Sequence, residues 1–175
     1  MLKPIISADS HVCEPPQCFV DYIDTAYRDR ASRMEHDTKL GDVFRIEGSK
    51  QPIPLSLASG AGKKPEELSV KGAVFGKLHR GGWEPQARIA DQDRDGIAAE
   101  VIYPSVGMEI CNIPDFGLKR ACMEAYNRWL LEFCDPYPAR LIGLGQVAVR
   151  TPDEGIAELR KVKAQGLRCR YLRYR

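Results

Sequence analysis

An aspartate and a histidine, Asp9 and His11, stand two residues apart behind the apolar pair Ile5-Ile6 and ahead of Cys13-Glu14-Pro15-Pro16. Residues i and i+2 of a strand point to the same side. The carboxylate and the imidazole therefore converge at the exit of a strand over 4–12. An oxygen donor beside an imidazole suits zinc, manganese or iron, so this pair is half of a metal site; the plainer alternative is a polar strand end. The remaining histidines are His36 and His79, and each is a conceivable further ligand from a binding loop. None of the six cysteines forms a Cys-x-x-Cys. The thiols are expected to be reduced, as in a cytosolic protein of this size.

The elements that must position the pair follow from periodicity and breakers. After the break at Pro15-Pro16, Phe19, Tyr22, Ile23 and Tyr27 recur at helical spacing and predict a short amphipathic helix. Residues from about 29 to 84 form a long irregular insertion. Within it, Asp42 to Glu47 alternates polar with apolar ahead of Gly48-Ser49, which predicts a small hairpin. Gly60-Ala61-Gly62-Lys63-Lys64 fails as a phosphate loop, because Leu57 stands where the first glycine belongs and Lys64 where Ser or Thr belongs. It is read as a mobile loop.

A helix is predicted from Pro85 to Gly96, with proline at its first turn and glycine at its end. The β-rich run Ala98 to Pro104 follows directly. The next helix starts at Asp115, a good N-cap. Phe116, Leu118, Cys122, Ala125, Tyr126, Trp129, Leu130 and Phe133 give it one broad apolar stripe. A third strand spans 140–149. Thr151-Pro152-Asp153-Glu154 then reads as a capping box, with Ile156, Leu159 and Val162 facing inward along the helix to Gly166. Leu167 begins a fourth strand.

Repeated strand–helix–strand units force parallel, right-handed crossovers, which a doubly wound sheet or a barrel would both satisfy. No Gly-x-Gly-x-x-Gly follows the first strand, against a dinucleotide fold. Polar residues instead mark the ends of strands: Asp9, His11 and Glu14 after the first, Tyr103 and Ser105 after the second. Barrels of eight strands place their chemistry at that end.

Composition narrows the partners. The net charge of +2 over 175 residues becomes −2 without Arg168, Arg170, Arg173 and Arg175, so the body of the chain carries no basic footprint for nucleic acid. Neither a secretory signal nor a transmembrane run is present. No nucleic-acid and no membrane partner is expected, and the expected location is cytoplasmic.

These segments together resemble the metal-dependent amidohydrolase superfamily, in the branch of aminocarboxymuconate-semialdehyde decarboxylase. The carrying residues are Asp9-Ser10-His11-Val12-Cys13-Glu14-Pro15, Gly81-Gly82-Trp83-Glu84-Pro85 through Asp93-Arg94-Asp95-Gly96-Ile97, Glu100-Val101-Ile102-Tyr103-Pro104, and Tyr126-Asn127-Arg128-Trp129-Leu130. The resemblance implies an α/β chain folded as a partial (β/α)8 barrel, about the first four strands, with the insertion after the first. It implies one divalent metal, zinc or manganese, on Asp9 and His11, with Glu14 as a further ligand or substrate contact, and Tyr103 and Ser105 against a small-molecule substrate. The implied activity is hydrolysis of a C–N or C–O bond, or non-oxidative decarboxylation of a small organic acid.

The family's later ligands and its acid–base residues have no positions here, since no histidine follows His79, and no catalytic base is assigned. A full barrel takes about 250 residues. The expectation is therefore a single domain over 1–175 that forms the N-terminal part of a longer enzyme, with an atypical basic tail over 168–175. Sheet edges left unburied would favour self-association, and a non-enzymatic fragment acting only through association is the alternative reading.

Overall fold

The computed structural model describes residues 3–167 and 169–172. Two sheets share one core. The first is a four-stranded parallel sheet of β1 (Ile5–His11), β5 (Ile97–Tyr103), β6 (Leu141–Val147) and β7 (Cys169–Leu172), in the order β1-β5-β6-β7. Each strand lies beside the next of its sheet in the chain, without the reversal that defines a doubly wound sheet. The second sheet is antiparallel and belongs to the insertion: β2 (Arg33–Asp37), β3 (Gly41–Arg45) and β4 (Ile53–Pro54).

The helices α1 (Pro85–Asp95), α3 (Phe116–Cys134) and α4 (Pro152–Ala164) start and stop where their caps predict. Gly96 closes α1 in the left-handed region, at φ 69°. Asp115 caps α3 by accepting from the amides of Gly117 and Leu118. Arg30 reaches the same carboxylate at 2.9 Å and also pairs with Glu47, tying the insertion to the start of α3. The whole predicted stripe from Leu118 to Phe133 is buried. Helix α3 lies close on β6: a Cβ at Gly143 would stand 2.9 Å from Leu130 Cδ2. Asn127 fixes that contact twice, donating to the Gln146 carbonyl and accepting from the Gln146 amide, each at 2.7 Å.

Four expectations are corrected. Residues 19–27 do not form an α-helix. Asp24 accepts from the Ala26 amide and restarts the chain as a 3₁₀ turn, Thr25–Arg30, while Phe19 and Ile23 enter the core, Phe19 edge-on to Phe44. The insertion is not irregular throughout. It holds two hairpins: β2 and β3 turn at Asp37–Gly41, where Asp37 accepts from the amides of Lys39 and Leu40, and β3 returns as β4 across Gly48-Ser49, the hairpin expected there, with Gly48 at φ 82°.

In α4, Thr151 caps the Glu154 amide as expected, but Glu154 reaches back to the Arg150 amide, one residue before the box. Ile156 is 48 % exposed; Val162 is buried as expected, and Gly155 is the other buried residue of the helix. A short helix, α2 (Gly107–Ile110), was not predicted. Of the basic tail, Arg168 and residues 173–175 lie outside the described residues. Among the described residues, no helix is long and apolar enough to cross a membrane.

Candidate functional site

Strands β1 and β5 end together, with His11 in register with Tyr103. The His11 ring stacks on the Tyr103 ring, centroids 5.7 Å apart and planes 29° apart. His11 Nδ1 lies 2.8 Å from the carbonyl oxygen of Pro104. A carbonyl only accepts, so Nδ1 carries the hydrogen and donates it. The other ring nitrogen, Nε2, faces Asp9 Oδ1 at 3.3 Å. A neutral imidazole so oriented turns a lone pair toward a carboxylate. Two electron-pair donors aimed at one point form a cation's donor set, and the Nδ1 hydrogen bond is the kind of outer contact that orients a metal-binding histidine. Asp9 is largely exposed, so the point between them is open.

Glu14 does not join that pair. It is fully buried, and its carboxylate accepts three backbone amides of the segment after β5: Ser105 at 3.0 Å, Val106 at 3.1 Å and Gly107 at 2.8 Å. Burial pushes its carboxyl above the ordinary value of 4.5, and the three amides pull against that rise. Glu14 thus clamps the exit of β1 to the exit of β5. Among the described residues, no group of three or more His, Cys, Asp or Glu is gathered to hold a metal ion. The pair Asp9–His11 fits a cation as two of the usual three protein ligands.

Next to His11 opens a cavity of about 750 Å³. One wall comes from the insertion, with Ile53, Leu55, Leu57 and Ala58; the other comes from α1 and from Ser105 and Met108 after β5. Of the predicted residues, His11 and Ser105 line it, while Tyr103 acts through its stack on His11. His79 also lines it, with Nε2 held by Asp91 Oδ2 at 2.6 Å. That contact leaves no room at Gly81, where a Cβ would stand 2.0 Å from the same oxygen. His36 is elsewhere, paired with Asp42 across the β2–β3 hairpin.

Sequence reasoning missed the polar layer behind the pair. Arg88 on α1 meets Glu100 on β5 at 2.6 Å and donates to the carbonyl oxygens of His11 and Gly81. Gln92 and Ser10 donate to the same Glu100 carboxylate. Two signals pointed there: a carboxylate inside an apolar strand, and Arg88 and Gln92 spaced i, i+4 on one helix face. The thiols beside the site are free and buried. Burial pushes Cys13 up to about 12, with the Glu14 charge adding to the rise, and Cys13 donates to the Ala58 carbonyl. Burial likewise raises Cys18, with smaller contributions from Glu14 and Cys122.

No family model matches the sequence, and no curated protein does. The fold has counterparts among solved structures. An amidohydrolase from Mycobacterium avium subsp. paratuberculosis K-10 superposes with a TM-score of 0.73 at 23 % identity, over 98 % of this chain and 50 % of that one. A 2,6-dihydroxybenzoate decarboxylase from Rhizobium, solved also with 2,6-dihydroxybenzoate bound, is similar at a TM-score of 0.47 and 16 % identity, over 95 % of this chain and 37 % of that one. The chain thus spans half the length of the amidohydrolase it matches, and the likeness at 0.73 shows a shared α/β fold with a parallel sheet.

Proposed function

We propose that the chain forms about the first four strands, with the helices between them, of an eight-stranded amidohydrolase-type barrel, with Asp9 and His11 as the first-strand ligands of one divalent metal. The observation that carries this reading is the convergence of Asp9 Oδ1 and His11 Nε2 at the exit of the first strand. Its support is the unreversed parallel order β1-β5-β6-β7 and the fold shared with the mycobacterial amidohydrolase. A bound zinc or manganese would polarise a substrate oxygen or lower the pKa of a bound water.

The chain's own residues do the rest. Pro104 and Tyr103 hold the His11 ring in orientation, and Ser105, at the mouth of the cavity, contacts the substrate. The chemistry in this reading is hydrolysis of a C–N or C–O bond, or decarboxylation, of a small organic acid whose apolar body rests on Leu55, Leu57 and Met108. An unaided pair of ligands holds a cation weakly, so the full activity needs further ligands from outside the described residues.

Metal content of the purified chain, measured by mass spectrometry after dialysis against zinc, tests the ligand assignment. Bound zinc that disappears in both Asp9→Ala and His11→Ala is the expected result. Retention of all of it in the double variant would refute the assignment.

A further inference from the structure

The second histidine of the cavity belongs to a pairing that the metal reading does not use. His79 Nε2 lies 2.6 Å from Asp91 Oδ2. A carboxylate accepts, so Nε2 carries the hydrogen, and in the neutral ring the lone pair is on Nδ1. Among the described residues, no group hydrogen-bonds Nδ1. Gly62 stands beside it: a Cβ there would lie 3.5 Å from Nδ1, so the glycine leaves that atom uncovered. The His79 side chain is 38 % exposed and that of Asp91 only 21 %. Both residues line the cavity, as does Gly62.

The surroundings hold the pair in place. Arg94 donates to the other carboxylate oxygen of Asp91, Oδ1, at 3.0 Å, so both oxygens are fixed. The carbonyl of His79 accepts from the Gly82 amide at 3.0 Å, which anchors the main chain. Gly81 lies against both partners: a Cβ would stand 2.0 Å from Asp91 Oδ2 and 3.3 Å from His79 Cδ2. Only glycine at that position admits the contact.

The geometry points to His79 as a general base of this cavity, acting on an ester or amide of an apolar organic acid, with Asp91 as its positioning residue. Nδ1 takes a proton from a water molecule whose oxygen bonds to the carbonyl carbon. The C–O or C–N bond then breaks, and the imidazolium returns the proton to the leaving oxygen or nitrogen. Asp91 holds the tautomer and offsets the positive charge that forms on the ring. The wall of Ile53, Leu55 and Leu57 receives the acyl chain. This role rests on the reading of the cavity as the reaction site, but not on a bound metal. It favours hydrolysis over decarboxylation, since a base that deprotonates water serves the first and not the second.

Hydrolysis of p-nitrophenyl butyrate by the 175-residue chain, freed of metal by a chelator and then with zinc restored, tests the role. Release of p-nitrophenolate per chain should exceed that by free imidazole at the same concentration. His79→Ala should lower kcat by about 10²-fold, and added imidazole should restore part of the loss. Zinc content by mass spectrometry and the far-ultraviolet circular dichroism spectrum should stay as in the wild type. His36→Ala, away from the cavity, should keep the wild-type rate. Asp91→Asn should lower kcat with KM unchanged, and Asp91→Glu should recover part of it. A wild-type rate no higher than that of imidazole would overturn the role, as would a His79→Ala variant that keeps the rate. Loss of zinc together with turnover in His79→Ala would make the residue a ligand and overturn it too. Turnover that depends on His79 in a chain that binds no zinc would leave the base standing and sink the metal reading instead.

Discussion

Replacing Glu14 tests how the two strand exits are joined. Its carboxylate is the acceptor for the amides of Ser105, Val106 and Gly107, and it is fully buried. A buried donor left unpaired costs about 1–3 kcal/mol. Glu14→Ala strands three of them, and with partial relaxation the loss should be about 3–5 kcal/mol. A domain of this size loses about 2–4 °C in Tm per kcal/mol, so the midpoint should fall by roughly 6–20 °C. Glu14→Gln keeps one carbonyl oxygen for Ser105 and Gly107 but turns an amide group toward the Val106 N–H. It should cost about 1–3 kcal/mol.

The pH dependence separates the two forces on this carboxyl. Burial holds the folded-state pKa above the ordinary 4.5. Below 4.5 both states are protonated, and the protonated form's stabilisation is complete. As pH rises from 4.5 through the folded-state value, only the folded state holds the proton, and that stabilisation is lost. The stability difference between wild type and Glu14→Gln should therefore shrink as pH rises across that window. Urea unfolding followed by Trp83 and Trp129 fluorescence at several pH values measures it. A difference that widens with pH would mean that the three amides outweigh burial, and it would refute the reasoning.

Two further results are expected. Arg88→Met leaves Glu100 with its partner removed in a mostly buried layer, and breaking such a pair costs about 3–5 kcal/mol; adding Glu100→Gln should recover part of the loss in chemical denaturation, and no recovery would show that the two side chains are not coupled. Cys13 and Cys134, both pushed up to about 12 chiefly by burial, should resist alkylation at pH 8 in the folded protein and react in urea. Modification of either in the native state, located by peptide mass spectrometry, would contradict their assignment as packed thiols.

The helices and the parallel sheet were legible because their signals are local. Pro85 and Gly96, Asp115 and Thr151 each mark an end by chemistry within four residues, and the stripe from Leu118 to Phe133 needs only the helical period. The error at 19–27 came from following the period of Phe19, Tyr22, Ile23 and Tyr27 over an equally local signal, Asp24, which accepts from the Ala26 amide and starts the Thr25–Arg30 turn. Ile156 was placed inward by period alone, yet it is 48 % exposed.

Glu14 shows why a site is harder to read than the fold. Its nearness to Asp9 and His11 in the chain gave it the role of a ligand, but the turn at Pro15 and Pro16 carries it into the core, where its partners lie more than ninety residues away. No local pattern encodes that distance. The same clamp gives the exposed pair its dependence on β5. His11 takes its tautomer from the Pro104 carbonyl, and Pro104 is followed directly by the three residues whose amides Glu14 holds. The direction of His11 Nε2 toward Asp9 is thus set from the second strand of the sheet rather than from the first. A change in the segment after β5 that leaves Asp9 and His11 untouched would turn the imidazole away from the carboxylate, and the pair would cease to be a donor set.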